Sequence, residues 1–169
     1  MGYNIYMAAQ EGLIIPSAKG PEFADDLAKA AVEELKRHSF DDDNDFVEAK
    51  KARDAILAAS SLTRKVVLLH DFLENKVFYP FVVSSYGDGS LEVTYDSTRW
   101  GERWKEGPVE EMVNVLSKYV RRNAYLGFVG EDMAIWSYVF DGMGSSRMVY
   151  PQIDWTGTQI KDEEDEEES

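Results

Sequence analysis

Tryptophan and arginine side chains are the residues of this sequence best suited to contact another protein. The candidate partner-binding residues are Trp100, Arg103, Trp104, Trp136 and Trp155. Trp and Arg are enriched among the residues that carry most of the binding energy at protein interfaces. Trp100 and Trp104 lie in one polar stretch, which favours a docking element. In the alternative and commoner interpretation, the indoles close the core beneath a long loop.

Carboxylates at predicted strand ends offer a second kind of chemistry. Two or more that converge can bind Mg²⁺ or act as a general acid and base, with a histidine as a further proton acceptor. The candidates are Glu131, Asp132, Asp141 and Asp154, with His70 as the histidine. Turns at strand ends are rich in Asp for backbone reasons alone, so the sequence predicts no catalytic residue.

No complete metal-binding or cofactor-binding motif is found in the rest of the sequence. Asp41, Asp43 and Asp45 match the start of a calcium-binding loop, but Phe46 stands where that loop requires glycine. No glycine-rich segment lies between a predicted strand and a predicted helix, as phosphate-binding loops must. Cysteine is absent, which excludes disulfides, thiolate nucleophiles and Cys-ligated metals. The sequence therefore predicts no cofactor and no metal.

The negative net charge of the chain argues against some classes of binding partner. The formal net charge is −14, and seven of the 32 acidic residues form the run Asp162–Glu168. Acidic residues outnumber the 18 basic residues in the rest of the chain as well. Direct nucleic-acid binding and docking on an anionic membrane are therefore not expected. Lys118, Arg121 and Arg122 form a small basic spot, which the dipole of the preceding helix explains.

The helices that must position these residues follow from apolar spacing. The first begins at Pro21 and carries an apolar residue at every fourth position, at Phe23, Leu27, Ala31 and Leu35. A second helix follows, and a third is predicted over 62–75, although 66–69 fits a strand equally well. Pro108 opens a fourth helix, which has the clearest apolar stripe in the chain.

Strands are predicted at both ends and in the middle of the chain. The segment 3–15 is extended with a bend at Gly12, and 77–85 pairs with 91–95 in a hairpin, with Pro80 indicating an edge position. Strands over 125–129, 133–140 and 147–153 form a meander. The middle strand of the meander is apolar on both faces, so both faces should be covered. Helices are the natural cover for one face, and a partner chain is the candidate for the other.

These elements predict an α+β fold in which an antiparallel sheet, made of the hairpin and the C-terminal three-stranded meander, is covered by three to four helices. Residues 1–157 form a single domain, and 158–169 form a disordered acidic tail because such a composition cannot bury enough apolar surface. The N-terminus lacks a signal-peptide pattern, and no apolar run approaches the roughly 20 residues of a membrane span. The chain is therefore expected to be cytoplasmic.

Three short motifs resemble a recurring pattern. They are GFVGED at 127–132, WSYVFDG at 136–142 and PQIDW at 151–155, and the chain opens with MGY. Together they resemble a family of small uncharacterised proteins from actinobacteria and their phages. The resemblance implies an accessory protein of phage or actinobacterial origin. It implies no functional residues, since the motifs consist mostly of turn glycines and core aromatic residues.

Three functional hypotheses remain open from the sequence. The leading one is a non-enzymatic, protein-binding accessory factor, phage-encoded and inhibitory towards a host protein, with DNA mimicry by its acidic surface as a particular form. The second is a small metal-assisted hydrolase that uses the strand-end carboxylates. The third is a self-associating structural protein, a homo-oligomer that pairs through the meander or an edge strand.

Overall fold

The predicted α+β class is confirmed by the structure. The computed structural model describes residues 5–38, 43–77, 80–96 and 108–150. The strands are β1 Ile5–Glu11, β2 Ile14–Ile15, β3 Phe81–Ser85, β4 Leu91–Tyr95, β5 Tyr125–Gly130, β6 Ile135–Phe140 and β7 Ser146–Val149. They form two antiparallel sheets, of order β1-β5-β6-β7 and β2-β4-β3. The hairpin and the meander therefore lie in separate sheets, and the N-terminal segment adds a strand to each.

Gly12 is the point at which the chain passes from one sheet to the other. Its φ of +74° is a conformation that side chains other than glycine rarely adopt. The turn ends β1 at Glu11 and starts β2 at Ile14. The bend predicted at Gly12 is thus confirmed. The Gln10 amide on β1 donates to Val93 O on β4 at 3.0 Å and so ties the two sheets together, while Val93 N–H donates to Leu13 O in the turn at 3.0 Å.

The helices are α1 Gly20–His38, α2 Asp43–Ala58, α3 Leu62–Asp71 and α4 Pro108–Ser117. A π-helical turn, Phe72–Lys76, continues α3, so the helical prediction for 62–75 is confirmed over its strand alternative. Helix α1 packs against α2, α3 and α4, and its predicted stripe of Phe23, Leu27, Ala31 and Leu35 is buried throughout. This central position explains why the stripe is so regular: helices surround it on several sides.

The two sheets meet the helices in one apolar core. The ring of Tyr95 on β4 packs edge-on against Phe128 on β5, with centroids 5.1 Å apart. Phe23 on α1 makes a similar contact with Tyr119, at 5.5 Å, just beyond α4. Aromatic pairs in this edge-to-face arrangement contribute beyond the area they bury, so these contacts help to hold the layers together.

Two strand predictions need correction. The middle strand of the meander begins at Ile135 rather than at Met133, because Met133 takes a φ of +67° in the turn before it and is 76% exposed. Strand β7 ends at Val149, and residues 151–153 of its predicted range lie outside the described residues. The edge position expected from Pro80 is confirmed, since β3 pairs only with β4 among the described strands.

Candidate functional site

The predicted partner-binding set is represented in the described residues by Trp136 alone. Its neighbours in that set, Trp100, Arg103, Trp104 and Trp155, lie outside the described ranges. Trp136 stands on β6 opposite Phe128 of β5, with ring centroids 5.8 Å apart, and is partly buried against the core. Its indole therefore packs on the inner side of the four-stranded sheet, as in the core-closing interpretation.

Among the described residues, the strand-end carboxylates are divided between the two ends of β6. Glu131 and Asp132 precede β6, whereas Asp141 follows it, and a six-residue strand separates its ends by about 20 Å. Asp132 accepts a hydrogen bond from Ala134 N–H at 3.0 Å, and Asp141 accepts two, from Met143 N–H at 2.7 Å and Ser145 N–H at 3.0 Å. Both carboxylates thus hold turns, and Asp154 lies outside the described residues.

The candidate histidine belongs to another part of the fold. His70 lies exposed on α3, with its Nε2 atom 3.8 Å from a carboxylate oxygen of Glu74 one turn later. Within the described ranges, no group of three or more His, Asp or Glu side chains is placed to hold a metal ion. No helix among those residues combines the length and apolar character needed to cross a bilayer.

A buried lysine among the helices has hydrogen-bond partners within the protein for its whole ammonium group. Lys65 is 6% exposed, and its Nζ atom donates to Asp25 Oδ1 at 2.7 Å, Ile56 O at 2.8 Å and Leu57 O at 3.3 Å. It thereby ties α3 to α1 and binds carbonyl oxygens at the C-terminal end of α2, where helices leave such groups without intrahelical partners. All three protons of the ammonium group have an acceptor.

The outer face of the four-stranded sheet is the side opposite Phe128 and Trp136. Strand alternation and register assign its apolar side chains as Tyr6, Tyr125, Val129, Ile135, Val139 and Val149. Tyr6 is 50% and Ile135 is 37% exposed, and the other four are partly exposed. On the outer face of the middle strand, Ser137 is 8% exposed and Ile135 is 37% exposed. The prediction that both faces are covered therefore stays a prediction.

A cleft of about 310 Å³ lies at one end of the outer face. Arg122 and Asn123 reach it from the α4–β5 connection, and Arg147 reaches it from β7, where Arg147 is paired with Val139 of β6. Asn123 N–H donates to Phe140 O at 2.9 Å, which holds the connection beside β6. We call this feature the arginine cleft.

Gly142 shapes the arginine cleft through a close backbone approach. Its φ is +74°, and a Cβ atom placed on it would lie 2.6 Å from the backbone nitrogen of Arg122. Only glycine allows the β6–β7 turn to pack this closely on the connection. Asp141 lines the cleft, and its pKa is lowered by the hydrogen bonds from Met143 N–H and Ser145 N–H, with a smaller contribution from the Arg122 charge.

Part of the arginine cleft was visible in the sequence. The basic spot predicted for Lys118, Arg121 and Arg122 is divided by the fold: Lys118 lies 4.0 Å from Asp26, and Arg121 pairs with Glu11 at 3.1 Å. Arg122 instead shares a cleft with Arg147, which is 25 positions away in the numbering. They come together because the α4–β5 connection packs beside the β6–β7 turn, a contact that no local sequence pattern signals.

The chain was compared with protein-family models, curated proteins and solved structures, and none of the three comparisons gave a significant match. The resemblance to actinobacterial and phage proteins therefore stays a prediction.

Proposed function

We propose that the chain is a non-enzymatic factor that binds another protein through the outer face of its four-stranded sheet. The observation that carries the proposal is the apolar character of that face. The solvated side of an antiparallel sheet usually alternates to polar residues. Here four positions on β5 and β6 are instead Tyr125, Val129, Ile135 and Val139, which flank the small residues Gly127 and Ser137. Partly exposed apolar side chains grouped on one face are typical of interaction sites.

The charge of the chain favours a different protein over a second copy as the occupant. Two chains that each carry a net charge of −14 repel one another on approach. A partner with a neutral or basic rim around an apolar patch meets no such repulsion. Inhibition of a host protein and the DNA-mimic form remain predictions that depend on identifying this partner.

The hydrolase alternative has less support than the binding function. It requires at least two strand-end carboxylates in one concave site, and the three described ones are divided between the ends of β6, with Glu131 and Asp132 before it and Asp141 after it. Each of Asp132 and Asp141 also accepts backbone hydrogen bonds that account for its presence in a turn.

The test uses a charge placed at the most exposed apolar position of β6 on the proposed surface. Ile135→Lys should abolish capture of a stoichiometric partner from a lysate of the source organism, because a lysine there cannot be desolvated without a counter-charge. Val67→Lys is the matched control, since Val67 is 55% exposed on α3, away from the sheet. Both variants should unfold at the same urea concentration as the unchanged chain.

The outcomes separate the remaining functions. Capture by the unchanged chain and by Val67→Lys, but not by Ile135→Lys, supports the proposal. Capture that survives Ile135→Lys, or no capture at all, contradicts it. A dimer in light scattering that Ile135→Lys dissociates would replace it with the self-associating structural function.

A further inference from the structure

Arg122 and Arg147 lack the ion pairs that three other arginines of the described structure make. Arg37 pairs with Glu34 at 2.7 Å, Arg53 with Asp54 at 3.0 Å, and Arg121 with Glu11 at 3.1 Å. Among the described residues, neither Arg122 nor Arg147 has an ion pair or a side-chain hydrogen bond. In a chain with 32 acidic and 18 basic residues, two unpaired guanidinium groups in one cleft leave binding capacity for an anion.

We propose that the arginine cleft binds a single carboxylate group. Guanidinium groups are planar donors whose paired N–H groups match the two oxygens of a carboxylate. Asn123, which also lines the cleft, carries an amide that can donate to the same group. The cleft volume of about 310 Å³ is at the small end of ligand sites, which suits one acidic group and its immediate carrier.

The local charge selects a carboxylate over a phosphate. Two arginine charges and the one carboxylate of Asp141 line the cleft, so one positive charge is unbalanced. A carboxylate neutralises that charge, whereas a phosphate dianion leaves a net negative charge. Charges farther than about 8 Å are largely screened at physiological salt, and the nearby Arg121 is already paired with Glu11. Polyanions such as nucleic acids also meet the −14 charge of the whole chain.

The carrier of the carboxylate can be a free small acid or an acidic residue of a peptide. Val139 belongs to both the cleft and the outer face, so a peptide that crosses the outer face can place an acidic side chain between the arginines. A free acid would need only the cleft. The cleft can be tested separately from the proposed docking function, because Ile135, the residue changed in the docking test, does not line it.

The test is an NMR titration of the full chain that follows the arginine Nε–Hε resonances. The probes are acetate, inorganic phosphate, the peptide acetyl-Val-Glu-Val-amide and its counterpart with Gln in place of Glu. The Arg122 and Arg147 signals, assigned by substitution, should shift with acetate and with the Glu peptide but not with the Gln peptide. Tighter binding of the Glu peptide than of acetate identifies a peptide as the source, and equal binding identifies a free acid.

Three variants give the expected changes. Arg147→Gln and Arg122→Gln should each weaken carboxylate binding about fivefold, as loss of one exposed charge pair predicts. Asp141→Asn should strengthen it about threefold, because it removes the competing negative charge while keeping an oxygen for the Met143 and Ser145 N–H groups. The control is Arg64→Gln, at an exposed arginine on α3 for which the described structure likewise shows no ion pair.

Each result decides the proposal. Loss with Arg122→Gln and Arg147→Gln, retention with Arg64→Gln and a gain with Asp141→Asn support it. Absence of any shift with the carboxylate probes overturns it, as does binding that neither cleft arginine affects. Tighter binding of phosphate than of acetate would overturn the choice of a carboxylate.

Discussion

Apolar and cationic residues have different surroundings in two regions of the molecule. One region is the helical layer, formed by α1 and the helices packed against it, and the other is the outer face of the four-stranded sheet with the arginine cleft. In the helical layer, Leu27 is fully buried and Lys65 donates to three oxygens. On the outer face, Ile135 is 37% exposed, and Arg122 and Arg147 line an open cleft without an ion pair in the described structure. One region satisfies its apolar and cationic groups internally, and the other leaves them partly unsatisfied.

The difference distinguishes residues that stabilise the fold from residues that can bind a ligand. A group that already has its partners contributes to the free energy of folding and has little left to offer a ligand. A partly exposed apolar side chain or an unpaired guanidinium contributes less to folding but gains contacts when a ligand arrives. Substitutions in the helical layer should therefore change stability, and substitutions on the outer face should change binding.

The largest expected change in stability comes from comparing an apolar residue of the helical layer with an apolar residue of the outer face. Leu27→Ala should lower the free energy of unfolding by about 3 kcal/mol, because Leu27 is fully buried in the core and its truncation leaves a cavity there. Ile135→Thr keeps β-branching at a partly exposed site and should change it by less than about 0.5 kcal/mol. Urea denaturation with equal m-values measures both. A loss at Ile135 as large as that at Leu27 would show that the outer face is part of the folding core.

The next largest change in stability is expected at the buried lysine of the helical layer, compared with exposed cations elsewhere. Lys65→Met should lower the free energy of unfolding by about 2–3 kcal/mol, because Asp25 and two helix-end carbonyls lose their shared donor. Lys51→Met removes an exposed cation that lies 3.4 Å from Glu48, and Arg147→Gln removes a cleft cation. Both should change stability by less than about 0.5 kcal/mol. Equal losses in all three variants would remove the distinction between the two regions.

The sequence predicted the helical layer better than the outer end of the sheet, for a physical reason. The stripe from Phe23 to Leu35 repeats at a helical period, so local spacing alone reveals which side is buried. The pairing of β1 with β5 joins residues more than 110 positions apart, and nothing local encodes it. The arginine cleft depends on the packing of the α4–β5 connection beside the β6–β7 turn, which local spacing does not reveal. One of its two arginines was therefore assigned to a helix dipole, and the other was missed.

A moderate effect is expected at the link between the two sheets. Gly12→Ala should lower the free energy of unfolding by about 1–2 kcal/mol, because a φ of +74° strains alanine and the new Cβ would lie 3.0 Å from the Arg121 guanidinium. Gly87→Ala is the control, since a Cβ there would meet nothing within 4 Å. Thermal unfolding of both variants measures the difference. Equal losses would mean that the turn at Gly12 adjusts freely.

The smallest effect concerns the pH dependence of the arginine cleft. Hydrogen bonds from Met143 N–H and Ser145 N–H, with the Arg122 charge, hold the pKa of Asp141 below its usual value in the folded chain. A depressed folded pKa gives stability that is present above the unfolded pKa, near pH 4, and that is lost as the pH falls through the folded pKa. Asp141→Asn keeps an acceptor for the turn but cannot titrate, so its stability should fall less between pH 6 and pH 3 than that of the unchanged chain.

Urea midpoints at pH 6, pH 4 and pH 3 measure this slope. Parallel curves for Asp141→Asn would show that its carboxylate is no better stabilised folded than unfolded. The turn would then be held by its backbone and by Gly142, and Asp141 would be free to respond to a ligand in the cleft.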